Sequence, residues 1–309
     1  MQTLKFTSIL FGTLLLFSAC KDDDNNIQNP VNNSPETQGI GYVETDASPS
    51  SVYDAIISTL NANENIGIIA EVDHTANAQN TDLSLDFTRT VYFGNPALGT
   101  PVMQNNIEAG LDLPQRITVY IDEDGDTVVS YNAVDYIINR HNLGDVSTTE
   151  TITNALASIV NSATEEDAIL NTASIPQSNG VISVASDNDF NTTYNSIIET
   201  LNGLEPVSII AELDHQANAQ SVSMELMPAK LIIFGNPALG TPLMSESKST
   251  ALDLPQKMLV YEDSNGDVYI LYNDPFYIAE RHDVDDNDES LEMISQALEN
   301  ISNSGATAE

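Results

Sequence analysis

Basic residues are scarce in this chain. Nine Lys and Arg face 46 Asp and Glu, for a formal net charge of -37. A surface of that sign repels phosphate backbones and anionic lipid head groups at long range, which excludes nucleic acid as a partner. An anionic substrate would need a local positive pocket, while cations, basic proteins and neutral molecules stay open. Cysteine is used once, at Cys20, which excludes an internal disulfide framework. The apolar run Ile9 to Phe17 is too short to span a bilayer as a helix. Several signatures of catalysis and nucleotide binding are also missing. There is no Gly-x-Ser-x-Gly, no His-Glu-x-x-His, no Gly-x-Gly-x-x-Gly and no Gly-Lys-Ser/Thr, and no cysteine nucleophile is expected.

The start of the chain reads as an export signal. Lys5 supplies a positive charge, the apolar run follows, and Leu16-Phe17-Ser18-Ala19-Cys20 is similar to a bacterial lipobox. Residues 1–19 are then a lipoprotein signal peptide, and acylated Cys20 is the anchor that makes the membrane a partner. Lys21-Asp22-Asp23-Asp24 resembles the export tag of surface-exposed lipoproteins, and a solvated tether is the other reading. Asn25 to Gln38, rich in Asn, Pro and Ser, reads as a disordered spacer. The expected address is the cell envelope, as an outer-membrane lipoprotein facing either the periplasm or the outside.

The rest of the chain is dominated by a repeat. Glu71-Val72-Asp73-His74 returns 141 positions on as Glu212-Leu213-Asp214-His215. The same offset carries Phe93 to Pro101 (Phe-Gly-Asn-Pro-Ala-Leu-Gly-Thr-Pro) onto Phe234 to Pro242 unchanged. It also carries Leu111-Asp112-Leu113-Pro114-Gln115 onto Leu252 to Gln256, and Arg140-His141 onto Arg281-His282. An ungapped match of this length marks a duplicated domain. Copy one spans 39–144 and copy two 180–285, joined by the linker 145–179. Ile152, Leu156, Ile159 and Val160 in the linker fall at helical spacing, as do Leu291, Ile294, Leu298 and Ile301 in the acidic C-terminal segment 286–309.

Within copy two, Gly180 to Ala185 alternates as a strand, and Phe190 to Leu201 is an amphipathic helix capped by Asp187 or Asp189. Val207 to Leu213 and Lys230 to Phe234 read as strands, with a short turn or helix from Asp214 between them. Met258 to Asp263 and Val268 to Tyr272 flank Ser264-Asn265-Gly266-Asp267, a hairpin turn. The matching Asp122-Glu123-Asp124-Gly125-Asp126 resembles the start of a calcium loop but lacks flanking helices, so a hairpin is expected there too. Pro275 to His282 closes the domain as a helix. The expected class is α+β: two tandem copies of a β-α-β-β-β-β-α domain, each a mostly antiparallel sheet with helices on one face.

Taken together, Glu-Leu-Asp-His-x-x-Asn-Ala, Phe-Gly-Asn-Pro-Ala-Leu-Gly-Thr-Pro-Leu-Met, Leu-Asp-Leu-Pro, Tyr-Asn-Asp-Pro and Arg-His resemble the DUF302 family over nearly all of each repeat. The resemblance implies a TATA-binding-protein-like α+β fold and a tendency of single domains to pair, here as a pseudo-twofold pair of repeats. It implies no reaction and leaves any cofactor unknown. Copy two fits the pattern better, because copy one has Ala133-Val134 where copy two has Asp274-Pro275.

All four histidines fall in the repeat: His74 and His141, matched by His215 and His282. Glu212 and Asp214 flank His215, and Asn218 lies one helical turn on. A carboxylate beside a histidine can orient it for general acid/base work, so His215, Glu212, Asp214 and His282 are the catalytic candidates. His215 and His282 could instead ligate a divalent metal. The structural reading has Asp214 capping a helix and Glu212 pairing with Arg281. The segment from Gly235 and Asn236 to Gly240 and Thr241 is either a binding-site wall or a loop stiffened by its prolines. The candidate ligand site comprises these residues with Glu71, His74, Asn77, Gly94, Asn95 and His141 of copy one. The reading favoured is a binding module for a small molecule or metal. A hydrolase- or isomerase-type enzyme and a structural or adhesive surface protein are the alternatives.

Overall fold

A computed structural model describes residues 35–172 and 175–307. The signal peptide, Cys20 and most of the tether lie outside the described residues. Copy one runs β1 (Ile40–Thr45), α1 (Pro49–Asn61), β2 (Gly67–Asp73), α2 (His74–Gln79), β3 (Thr88–Gly94), α3 (Pro96–Asn105), a 3-10 turn at Ile107–Leu111, β4 (Gln115–Ile121), β5 (Thr127–Asn132) and α4 (Val134–Arg140). Helix α5 (Thr149–Thr164) and the short strand β6 (Ile169–Asn171) follow. Copy two repeats the order as β7 (Val181–Ser186), α6 (Phe190–Gly203), β8 (Ser208–Asp214), α7 (His215–Ser221), β9 (Ala229–Gly235), α8 (Pro237–Glu246), a 3-10 turn at Lys248–Leu252, β10 (Gln256–Glu262), β11 (Val268–Asn273) and α9 (Pro275–Arg281). Helix α10 (Asp288–Ala306) closes it.

The strands form two antiparallel sheets, ordered β2-β3-β4-β5-β1-β6 and β7-β11-β10-β9-β8. In each copy the first helix carries the chain across the sheet, from β1 to β2 in copy one and from edge strand β7 to edge strand β8 in copy two. It lays an apolar stripe on the sheet: Val52, Tyr53, Ile56 and Leu60 in α1, and Phe190, Tyr194, Ile197 and Leu201 in α6. Asp189 caps α6 through Thr192 N, satisfying one of the amides that every helix start leaves unpaired. Helices α5 and α10 pack beside α1 and α6 on that same outer side.

The other side of each sheet faces the other copy. Side chains alternate along a strand, and β9 shows the division: Ile232 and Phe234 pack with α6 and α10, while Ala229, Leu231 and Ile233 join a core dominated by copy one. The 3-10 turn of each copy lies on the opposing sheet. Leu252 reaches Ile40 and Tyr42 of β1. At Gly110 a Cβ would lie 2.6 Å from Met103 Cε and 3.2 Å from Leu259 Cδ1, so the turn can approach that closely only because the residue is glycine. The result is four layers, helices–sheet–sheet–helices, related by a pseudo-twofold axis.

Two sequence expectations need correction, and the linker holds one strand beyond the helix its spacing predicts. The Gly-Asn-Pro-Ala-Leu-Gly-Thr-Pro segments are the starts of α3 and α8, not loops. Asn95 and Asn236 cap them through the amides of Ala97 and Ala238, and Pro occupies the first turn, where its missing N–H costs nothing. Residues 35–38 are packed rather than spacer: Asn171 Nδ2 donates to the carbonyls of Pro35 and Thr37. The linker adds β6 to the edge of the first sheet, paired with β1 from Ile40 to Tyr42.

Because Leu259 is fully buried between the sheets, Leu259→Ala should cost about 2–5 kcal/mol. Urea unfolding followed by copy-specific probes should show both copies melting together at the lowered midpoint. An unchanged midpoint for copy one would contradict a shared core.

Candidate ligand-binding site

A cluster of charged side chains is sealed between the copies, built from the Leu-Asp-Leu-Pro-Gln and Arg-His motifs. Asp112 Oδ2 accepts from Arg140 Nη1 and lies against His141 Nε2, both at 2.8 Å. Asp253 Oδ2 is held likewise by Arg281 and His282. The arginines then cross the axis: Arg140 Nη2 donates to Asn273 Oδ1 and Arg281 Nη2 to Asn132 Oδ1, each at 2.8 Å. Arg116 bridges Asp253 and, at 3.4 Å, Asp112. Its counterpart Lys257 sits 4.0 Å from both carboxylates. Burial opposes ionisation of Asp112, yet Arg140, His141 and Lys257 hold it well below the usual carboxylate range. Asp253 behaves alike through Arg281, Arg116 and His282. Burial pushes Lys257 down to about 7, helped by the charge of Arg116. Four of the chain's nine basic residues are thus spent inside the protein.

Two cavities flank this cluster, and each is lined by both copies. One, of about 730 Å³, sets Gly94, Asn95 and Thr100 of copy one with Gln115 against His215 and Asn218 of copy two. The other, of about 180 Å³, sets His74 and Asn77 of copy one against Gly235, Asn236, Gly240, Thr241 and Gln256 of copy two. The short helices α7 and α2 carry each histidine to the capped helix of the opposite copy, where α7 meets α3 and α2 meets α8.

The two histidines differ for a definite reason. His74 Nε2 lies 3.4 Å from Thr90 Oγ1, which donates to the Ala251 carbonyl across the interface. Copy two has Leu231 at the position of Thr90, and His215 Nε2 has no hydrogen-bond partner. Gln115 Nε2, lining the same cavity, is also without one. Buried polar atoms are ordinarily paired. Burial lowers both His74 and His215 to about 4, so both rings are neutral at pH 7.

The remaining candidates lie elsewhere. Glu71 and Glu212 accept from the hydroxyls of Tyr53 and Tyr194, so Glu212 does not pair with Arg281. Asp214 caps α7 through Ala217 N and lies 3.6 Å from Lys230. Neither carboxylate hydrogen-bonds to His215, which removes the orienting partner that a catalytic base at His215 would need. His141 and His282 belong to the charge cluster, not to the cavities. Both ring nitrogens of His282 are engaged, Nε2 by Asp253 and Nδ1 by Ser249 at 2.9 Å, so it does not join His215 at a metal. Among the described residues no group of three His, Cys, Asp or Glu is placed to hold a metal ion. The Ser249–His282–Asp253 chain has the residue types of a hydrolytic triad, but it is sealed under Thr37 and its aspartate is shared between two arginines. The aspartates of Leu-Asp-Leu-Pro went unselected in the sequence, although the identity of that motif in both copies was their signal. The Asp122 and Asp263 turns are hairpins, each aspartate accepting from backbone amides two and four residues on.

Fold and site together define a tandem α+β pair whose two cavities are each lined by both repeats. The family model for the domain of unknown function DUF302 matches residues 42–163 and 182–301, and the chain belongs to this family. Among curated proteins, the fluoride-specific ion channel FluC 1 of Brucella suis biovar 1 is 42% identical over 76 residues, 25% of this chain and 30% of that protein. The fluoride-specific ion channel FluC 2 of Brucella melitensis biotype 1 is also 42% identical over 76 residues, 28% of its length. The chain therefore spans less than a third of the length of these curated relatives. A crystal structure of an uncharacterized conserved DUF302 protein from Bacillus stearothermophilus aligns with 40% of this chain and 97% of its own, at 18% identity and a TM-score of 0.37.

The neutral histidines give a pH signature. The unfolded chain takes up protons near pH 6.5 and the folded one only near 4, so stability is lost as pH falls through that window. Asp112 and Asp253 add to the loss below about pH 4. Urea midpoints measured from pH 7 to 4 should fall less steeply in His215→Leu than in wild type. Parallel slopes would show that His215 takes up its proton as readily folded as unfolded.

Proposed function

We propose that the protein is a small-molecule binding module, with the cavity shared by α3 of copy one and α7 of copy two as its principal site. The single observation that carries this is the pair of unpartnered polar atoms, His215 Nε2 and Gln115 Nε2, on residues that line a cavity of about 730 Å³; Thr241 Oγ1 and the Gln256 amide are unpartnered too, but they line a cavity of only about 180 Å³. A volume in this range suits a small organic ligand, and groups left unpaired in a folded core cost stability unless something binds them. A structural or adhesive protein has no need of such a cavity. An enzyme working through His215 would need a base nearer neutrality than a ring held at about 4.

The site is further proposed to stand at a membrane surface of the cell envelope, held by acyl chains on Cys20. Among the described residues no helix is long and apolar enough to cross a membrane, and the lipobox-like sequence is what supports the anchor.

Two measurements test these readings. In a thermal-shift screen of neutral metabolites, at least one compound should raise the melting temperature of wild type and not of Ala155→Trp, which fills the cavity beside α5. A hit list unchanged by Ala155→Trp would contradict the site. Metabolic labelling with a tagged fatty acid should mark the wild-type chain and not Cys20→Ser, whereas equal labelling would contradict the anchor.

A further inference from the structure

The lining of the larger cavity restricts what can occupy it. Among the described residues its only ionisable ones are His215 and Glu64, and Glu64 is exposed at the rim. No Lys or Arg of the described residues lines it. The buried arginines, Arg116, Arg140 and Arg281, are committed to Asp112 and Asp253, and Lys257 lies 4.0 Å from both carboxylates, outside the lining of this cavity. A carboxylate or phosphate entering the cavity would therefore lose its water with no counter-ion, inside a chain of net charge -37. A buried cation would fare no better, because no buried carboxylate of the described residues lines the cavity. Desolvating an unpaired charge costs far more than desolvating a hydroxyl or amide.

The apolar and polar parts of the lining are both specific. Phe93, Leu113 and Leu156 are buried side chains of the wall. His215 has a backbone hydrogen bond to Gly110, which leaves Nε2 of the neutral ring as an acceptor when the other nitrogen carries the proton. Gln115 Nε2 is a donor. Both atoms are covered from solvent, so a group that both gives and takes a hydrogen bond reaches this acceptor and donor only where the wall shifts to admit it.

Resting on the binding-module reading above, we propose that the ligand is an uncharged amphiphile: an apolar chain or ring system bearing a hydroxyl or an unsubstituted amide. Position 231 then acts as the determinant that separates the two histidines. Leu231 leaves His215 free, whereas Thr90 occupies His74.

The test uses the full chain carrying Cys20→Ser, so that no acyl group of its own competes, and the neutral fluorophore N-phenyl-1-naphthylamine at pH 7.5. Decanol, decanamide, decanoate and decylammonium are titrated as competitors of equal chain length. Decanol and decanamide should displace the dye at concentrations at least about tenfold below the two ions. His215→Leu and Gln115→Met should each weaken decanol by about fivefold, the range of one neutral hydrogen bond, with an unchanged near-UV circular dichroism spectrum as proof of folding. Displacement by decanoate or decylammonium as effective as by decanol overturns the proposal while leaving the cavity reading intact. So does decanol affinity indifferent to both substitutions. Failure of the dye to bind, or binding unaltered by Ala155→Trp, overturns the cavity reading and this proposal with it.

Discussion

Each sheet in this protein has two faces to cover and only one set of helices of its own. That shortage is the constraint on which everything else depends. A strand such as β9, apolar on both sides, is stable only if something occludes the face opposite α6 and α10, and the occluding surface is the other copy of the domain. The duplication is therefore a physical requirement of this sequence and not a simple doubling of capacity. Burying a fully covered Leu or Ile contributes about 1.5–3 kcal/mol, and Leu231, Ile233, Leu259 and Leu271 all draw that contribution from contact with copy one.

The charge cluster follows from the same packing. Breaking a buried ion pair by removing one partner is costly, whereas the intact pair adds little net stability over apolar packing. Its value here lies in register: Arg140 reaches Asn273 and Arg281 reaches Asn132, so any slip of one copy along the other strands charged groups without partners. Tyr136 and Tyr277 meet hydroxyl to hydroxyl at 3.2 Å across the axis. Gly39 and Gly180, at φ +73° and +63°, bring the chain against these two rings, a backbone state that glycine adopts without strain. With register fixed, α7 is carried to α3 and α2 to α8, and the cavities arise at those two meetings.

Much of this was legible in the sequence because it is local. Period-two strands, the helical stripe of Phe190, Tyr194, Ile197 and Leu201, the Asp-capped helices and the Asp263 hairpin are all set by neighbours a few residues apart. The capped helices α3 and α8 were missed because Gly and a second Pro in each segment mask the Asn-Pro start signal. The site was misassembled for a different reason. Sequence adjacency groups His215 with Glu212, Asp214 and the Gly235 segment of its own copy, but the folded partner of His215 is the equivalent segment of the other copy. A repeat offset shows that two segments are equivalent, and it carries no information about which copy supplies each half of a site. The difference between His74 and His215 was likewise invisible, since it turns on Thr90 against Leu231, sixteen residues upstream in neither case but sixteen downstream, on a separate strand.

The central claim is that a ligand in the larger cavity touches both repeats at once. Photolabelling with benzophenone, a neutral aromatic ketone that inserts where it is held, tests it most directly, with the adducts located by peptide mass spectrometry. Adducts in both the 93–115 segment of copy one and the 213–222 segment of copy two, lost together in Ala155→Trp, are the result this account predicts. Adducts confined to one copy would contradict it.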